Sequence, residues 1–294
     1  MRRLSATVLL LSACATAAPR SAAPARDAEA EVVAAEHAFA AAVARDGIRD
    51  AFLAFAHDSA LAFTPEPANA KAVWRARPRV SERLAWYPAF ARAARSGDLG
   101  FTTGPYESAD SAGNVLGHGQ YVTVWQRTAE GWRFVIDAGS PNPRPGAPVP
   151  EWRPPASRAQ SSVATDVDGA RSLLAADSAF AARAASHGFA AAVRAYGDRE
   201  MRLLRPRFQP RVGLGPVLAA AVADSARHYT ARPARAFASA AGDLGWTWGE
   251  YRYMNVGAGR RETGYYVRIW ARDPGGPWRV LLDGVTPRPS ERDE

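Results

Sequence analysis

Two aspartates carry the first candidate chemistry. Asp137 closes the run Trp132-Arg-Phe-Val-Ile-Asp137, and Asp283 closes Trp278-Arg-Val-Leu-Leu-Asp283. Each ends an apolar segment, so burial would raise its pKa and suit it to general-base work. Two plainer readings stay open at both positions. An Asp at a strand end turns the chain by bonding its backbone, and each lies four residues from an arginine, Arg133 or Arg279, on the same strand face, where an ion pair would form. The run Arg199, Arg202, Arg205, Arg207 and Arg211 is a second candidate, since the matching stretch from His57 to Asn69 contains no arginine. Arg202 and Arg205 suit a bound carboxylate or phosphate, because a guanidinium fork matches planar anions. The alternative is a solvated arginine-rich loop, possible to set against lipid phosphates near a membrane.

Other chemistries find no support. His37, His57, His118, His187 and His228 show neither H-x-x-x-H nor H-E-x-x-H spacing, so no metal site is expected. No Gly-x-Ser-x-Gly elbow occurs, and Gly213-Leu-Gly-Pro lacks the lysine of a phosphate loop, so no cofactor is expected either. The only cysteine is Cys14, which excludes an intrachain disulfide and a Cys-rich zinc module.

Cys14 belongs to an export signal instead. Arg2 and Arg3 give a positive start, Leu4 to Leu11 form an apolar stretch too short to span a bilayer, and Leu11-Ser12-Ala13-Cys14 resembles the bacterial lipobox. That resemblance implies a lipid on Cys14 as the membrane attachment. Ala15 in place of an acidic residue implies the outer membrane, with the protein facing the periplasm.

The chain has 294 residues, 47% of them apolar and 22% charged, as expected of about two soluble domains. Its net charge of +8 would raise the question of nucleic acid, but Lys71 is the only lysine among 37 basic residues. An arginine bias beside abundant alanine points to genome composition, and no groove-reading helix or aromatic interleaving accompanies it. No nucleic-acid partner is expected. Residues 29–143 carry net −2 and residues 167–288 net +8, so any anion preference belongs to the second half.

Internal repetition sets the architecture. Gly97-Asp-Leu-Gly-Phe-Thr-Thr-Gly-Pro-Tyr106 matches Gly242-Asp-Leu-Gly-Trp-Thr-Trp-Gly-Glu-Tyr251 at seven of ten positions. Gly119-Gln-Tyr-Val-Thr-Val-Trp-Gln-Arg127 matches Gly264-Tyr-Tyr-Val-Arg-Ile-Trp-Ala-Arg272 at the same offset of 145, and the two Trp-Arg…Asp runs follow. Upstream, Phe39 and Gly47 align with Phe180 and Gly188 at an offset of 141. The chain is a tandem duplication, divided by the proline-dense stretch after Pro141.

Each copy opens on helix. Val32, Ala35, Glu36, Phe39, Ala42 and Val43 recur at helical spacing, as do Leu173, Asp177 and Phe180, and a short second helix follows Gly47 or Gly188. A third helical stretch is predicted near Val80 to Ala94. After the Gly97 turn come three antiparallel strands, so the class is α+β. Alternation puts Val122 and Val124, like Val267 and Ile269, on a plain core face. Tyr121, Thr123 and Trp125, like Tyr266, Arg268 and Trp270, share an aromatic face suited to a pocket wall or a contact surface.

Helix, short helix and curved antiparallel strands bearing "GDLGFTTGPY", "GQYVTVW" and "GWRFVIDAG" resemble the nuclear transport factor 2-like superfamily, near its SnoaL-like and ketosteroid isomerase-like members. The resemblance covers both copies and implies two tandem cone-shaped domains, each with helices packed on a curved sheet around an apolar mouth. The segments are then a leader over 1–14, a tether over 15–28, cones over 29–143 and 167–288, a linker over 144–166 and a tail over 289–294. The implied ligand-binding residues are Trp86, Phe90, Phe101, Thr103 and Tyr121, then Trp246, Trp248, Tyr266 and Trp270, with ordinary packing as the alternative for each aromatic. The family's isomerases imply Asp137 or Asp283 as base beside an oxyanion donor. The fold also hosts binding and assembly modules, so it does not fix the chemistry. Three functions stand open: binding of a small apolar or amphipathic molecule, an isomerase, cyclase or hydratase, and a structural envelope module. Relatives pair through their sheets, which implies an intrachain pseudo-dimer with Tyr121, Trp125, Tyr266 and Trp270 at the contact.

Overall fold

The computed structural model describes residues 25–64, 66–154, 165–224, 227–255 and 260–289. The leader, Cys14, most of the tether, the middle of the linker and the end of the tail lie outside these residues.

In the first half, helix α1 (Ala25–Asp46) buries Ala28, Val32, Phe39, Ala42 and Val43, a stripe recurring every three to four residues. Gly47 then adopts φ 85°, a left-handed value that glycine reaches without a Cβ clash, and redirects the chain into α2 (Ile48–Phe55). Strands β1 (Ala56–Phe63) and β2 (Pro67–Asn69), helix α3 (Ala70–Ala76), short strands β3 (Arg83–Trp86) and β4 (Phe90–Ala93), and long strands β5 (Leu99–Ala109), β6 (Val115–Thr128) and β7 (Gly131–Asn142) follow.

The second half repeats the plan. Helix α4 (Gly169–His187) ends at Gly188, again at φ 85°, before α5 (Phe189–Tyr196). Next come β8 (Gly197–Leu204), β9 (Arg211–Val212), α6 (Leu214–Ala223), β10 (Arg227–Ala238), β11 (Leu244–Asn255), β12 (Arg260–Ala271) and β13 (Arg279–Pro287).

The sheets are separate and similarly wired. One runs β2-β1-β7-β6-β5-β3 with β4 also on β5, and the other runs β10-β11-β12-β13-β8-β9. In each, three antiparallel strands are followed in space by the strand after the short helix, which returns parallel to the last of them. The molecule is thus α+β, two tandem cones of helices packed on a sheet. Register places Thr102, Thr123 and Asp137 on one rung of the first sheet, and Thr247, Arg268 and Asp283 on the equivalent rung of the second.

Two expectations need correction. Residues 80–94 are not helical: Arg83–Trp86 and Phe90–Ala93 pair with β5, so ladder hydrogen bonds override the helix preference of an Ala- and Arg-rich stretch. The Arg199–Arg211 segment is not one loop either, because Arg199 and Arg202 lie in β8 and Arg211 in β9.

Three apolar clusters hold the fold. One fills the first cone between α1 and the sheet, around Phe39, Phe52, Trp125 and Phe134. A second fills the other cone, around Phe180, Tyr229, Tyr266 and Trp270. The third joins the halves: Leu99, Phe101, Val122, Val124 and Ile136 pack with Leu244, Trp246, Val267, Ile269 and Leu282. The valine-rich faces therefore meet each other, while Tyr121, Trp125, Tyr266 and Trp270 point into their own cones, opposite to the expected contact. Period-two alternation separates the faces of a strand without saying which is inner, and a sheet covered on both sides has no polar face to mark the outside.

The turns preceding β5 and β11 also touch. Arg95 donates from its backbone N and its Nε to Asp243 Oδ2, at 3.1 and 2.9 Å, and Ala240 N donates to Asp98 Oδ2 at 2.9 Å. Arg92 pairs with Glu200 at 2.6 Å. The linker lies against the first cone, with Tyr87 donating to Val149 O at 2.9 Å and Trp152 N to Pro88 O at 2.8 Å.

Candidate functional site: two cones with opposite interiors

Inside the first cone, α1 presents a carboxylate from its apolar stripe. Glu36 is fully buried and accepts from Trp86 Nε1 at 2.5 Å, from Trp125 Nε1 at 2.9 Å and from the Thr102 hydroxyl. Burial still pushes its pKa above the ordinary carboxylate range, against the pull of those three donors. Asp137, on β7, accepts from Thr123 Oγ1 at 3.0 Å. Its pKa rises to about 7, first through burial and then through the charge of Glu36, with the Thr123 bond pulling the other way. Among the described residues no cation bonds to either carboxyl, so the two cannot both ionise cheaply in one apolar interior. The buried Tyr121 hydroxyl completes the lining without a hydrogen bond. Burial, and then the charge of Glu36, hold its pKa well above that of a free phenol.

Asp137 is reached from outside. A pocket of about 160 Å³ is lined by Leu61 to Thr64 of β1 and the residue after it, by Val73 and Trp74 of α3, by Phe134 and Asp137 to Gly139 of β7, and by Thr286 of the second half. This is smaller than the few hundred Å³ usual for a ligand site, but a dry cavity of about 150 Å³ holds a benzene-sized group.

The second cone answers the same problem differently. Asp177 replaces Glu36, and Arg268 stands where the first half has Thr123. The guanidinium donates at 2.5 Å from Nε to Asp283, at 2.5 Å from NH1 to Asp177 and at 2.5 Å from NH2 to the Tyr229 hydroxyl. It lies 3.9 Å from the Tyr266 ring and 4.3 Å from that of Phe180, and Tyr266 donates to Asp177 at 2.8 Å. Arg205 reaches Asp283 at 2.7 Å from the other side. Burial alone would raise the pKa of Asp283, yet Arg205 and Arg268 together hold it below the ordinary carboxylate value. The pairing differs as well: Ala231 faces Tyr251 across the ladder where Trp86 faces the aligned Tyr106.

The other sequence candidates scatter. Arg205 is engaged with Asp283, and Arg202 stacks on the Phe90 ring at 3.6 Å, so neither guanidinium stands free at a mouth. Burial lowers the pKa of Arg202 to about 10. Phe90, Phe101, Trp246 and Trp248 pack between the sheets rather than inside a cone, and Thr103 is buried with its hydroxyl on Tyr121 O. Trp86, Tyr121, Tyr266 and Trp270 do face the interiors. The expected ion pairs with Arg133 and Arg279 do not form, since these donate to the carbonyls of Trp132 and Ala195. Sequence reasoning missed Glu36, Asp177, Arg268 and Tyr229 as site residues. A carboxylate on the apolar stripe of the opening helix in both copies was the available signal. Among the described residues no group of three or more His, Cys, Asp or Glu side chains could hold a metal, and no helix is long and apolar enough to cross a membrane.

No protein-family model matches the chain, and no curated protein matches it significantly. Solved structures similar to it include a ketosteroid isomerase-like protein from Erwinia carotovora atroseptica, 11% identical over 42% of this chain and 100% of that one, with a TM-score of 0.38. A nuclear transport factor 2-like superfamily protein from Salmonella enterica is 11% identical over 41% and 92%, with a TM-score of 0.35. An LEH-like epoxide hydrolase from Mycobacterium tuberculosis is 14% identical over 41% and 81%, with a TM-score of 0.32. Each match spans about two-fifths of the chain.

Proposed function

We propose that the first cone is a binding site for a small apolar or amphipathic molecule whose polar end donates a hydrogen bond to Asp137, and that the second cone is its structural counterpart. The observation that carries this reading is the asymmetry of the interiors: two carboxyl groups without a counter-charge behind a pocket in one, a charge-paired Asp–Arg–Asp network in the other. A buried group with unused hydrogen-bonding capacity favours a partner that completes it, whereas a completed network favours none. Native mass spectrometry of protein extracted from its own cells should show a retained mass that Asp137→Asn loses. A wild-type protein that carries no retained mass and takes up no benzyl alcohol at millimolar concentration would refute this.

A second reading gives Asp137 catalytic work as a general base in an isomerase, cyclase or hydratase. It is supported by a carboxyl poised near neutral pH at the base of a pocket, where proton abstraction is most effective. It requires a pH-dependent turnover abolished by Asp137→Asn, and unchanged turnover in that variant would eliminate it.

The halves are read as an intrachain pseudo-dimer. Support comes from the apolar cluster between the sheets and from contacts that exchange between copies: Arg95 meets Asp243, and Asp98 meets Ala240, the aligned partner of Arg95. Arg2, Arg3 and the Leu11–Cys14 run support lipid attachment and a periplasm-facing place at the outer membrane. Labelling with a fatty-acid analogue that survives Cys14→Ser would remove the anchor.

A further inference from the structure

The pocket at Asp137 is not built by the first half alone. Thr286 of β13 forms part of its wall, and β13 pairs Thr286 with Tyr265 of β12. From these neighbouring positions the second half contacts Glu66, two residues beyond the pocket's Thr64. Arg288 donates to Glu66 from Nε at 2.7 Å and from NH2 at 3.2 Å, and the Tyr265 hydroxyl also donates to Glu66. Arg288 in turn donates to the Tyr265 hydroxyl, and its guanidinium lies 4.6 Å from the Tyr265 ring. Its own backbone N is tied to Thr263 O at 2.8 Å, so the side chain projects from a fixed strand end.

Glu66 occupies a strategic place on the receiving side. It precedes β2 directly, and β2 leads without a break into α3, whose Val73 and Trp74 line the pocket. β2 itself is only three residues long, and pairs only with β1. Phe63, at the end of β1, lines the pocket on one side and packs at 6.0 Å from both Tyr265 and Trp248 on the other.

We propose that Glu66, Arg288 and Tyr265 form a latch by which the second half positions the β2–α3 wall of the first-half pocket, so that the halves' pairing and occupancy of the pocket favour each other. This rests on the reading of the first cone as a binding site for its consequence, but not for its geometry. The start of this segment is held by a three-residue strand and the side-chain latch, while its far end is tied by Arg49 to Trp74 O and Arg75 O; loss of the latch opens that start locally. Water access to Asp137 then increases, and a ligand loses its outer wall. By linkage, a ligand bound behind that wall tightens the contact between the halves.

The test uses the full-length chain carrying Arg288→Met or Glu66→Gln, with Arg232→Met, which removes the neighbouring exposed Arg232–Glu250 pair, as the control. Hydrogen exchange across residues 67–76 should quicken about tenfold in the two latch variants and not in the control. Exchange in the inter-sheet stretches 99–103 and 265–270 should stay at the wild-type rate. The carboxyl titration assigned to Asp137 should move down by about one pH unit as burial is relieved, and Arg288→Lys should restore part of both effects. Unchanged exchange over 67–76 in both latch variants would overturn the latch. So would quickening that is equal in the inter-sheet strands, because it would mean general loosening. Benzylamine, a benzene-sized probe with a donor group, separates the two readings. Local opening in the variants with no benzylamine uptake by the wild type upholds the latch and removes the binding reading. Uptake that is the same in wild type and latch variants removes the latch and leaves the binding reading standing.

Discussion

The two cones begin from nearly the same parts and reach opposite electrostatic ends. Each has a carboxylate on its opening helix, a threonine on the strand after the Gly-Asp-Leu-Gly turn, an inward tyrosine and tryptophan on the next, and an aspartate on the last. Two arginines decide the outcome: Arg205, which reaches Asp283 from outside the rung, and Arg268, which stands where the first half has Thr123. With Arg268, each guanidinium nitrogen finds an acceptor: Asp283, Asp177 and the Tyr229 hydroxyl. Without it, two carboxyls share one apolar space and one of them is pushed to titrate near neutral pH. A buried charge network is self-sufficient when complete and costly when broken, which is the physical ground of the proposed division between a supporting cone and a receptive one.

The largest effect should follow from breaking the network. Arg268→Met leaves Asp177 and Asp283 buried without their shared cation and should destabilise the second half by about 3–5 kcal/mol in denaturant unfolding. A loss under about 1 kcal/mol would mean that the network contributes little and that the contrast between the cones is superficial.

Next in size is a pair of substitutions with opposite signs. Asp137 has a folded pKa raised above that of the unfolded chain, so its contribution is most favourable below about pH 4 and is lost as pH rises toward 7. Asp283 is depressed, so its contribution is present above about pH 4 and lost as pH falls through its lower folded value. At pH 8, Asp137→Asn should therefore stabilise and Asp283→Asn should destabilise, each by an amount on the order of 1–3 kcal/mol. At pH 4 the gain from Asp137→Asn should have largely vanished. Thermal unfolding at the two pH values reads both signs.

A reciprocal swap sharpens the comparison. Thr123→Arg with Trp86→Ala transplants the second cone's exchange into the first, and should lower the titration of Asp137 below the ordinary carboxylate value while weakening benzyl alcohol binding about tenfold. Two-dimensional NMR follows both. The smallest effect belongs to the exposed Arg232–Glu250 pair, where Arg232→Met should change stability by less than about 1 kcal/mol.

Much of this was legible from the residues. The offset of 145 between the glycine-rich turns and between the Tyr-Val-x-x-Trp strands specified a duplicated α+β fold, because strand register follows directly from sequence spacing. The position of Asp137 and Asp283 at strand ends was likewise readable, but their fates were not. These depend on which residue stands one strand away, at Thr123 or Arg268, and on Arg205 and Tyr229, which arrive from just past the end of β8 and from β10, where the copies share little sequence. The faces of β6 and β12 were mistaken because valine and aromatic rows are both apolar and both covered. Short strands β3 and β4 were hidden by an Ala- and Arg-rich composition that favours helix in isolation.

Carboxyl-detected NMR titration of the wild-type chain beside Asp137→Asn and Asp283→Asn tests the account most directly. It predicts a side-chain carboxyl with a midpoint near 7 that is absent from Asp137→Asn and retained in Asp283→Asn. A wild-type protein in which every carboxyl titrates in the ordinary acidic range, or in which the neutral midpoint survives Asp137→Asn, would contradict it.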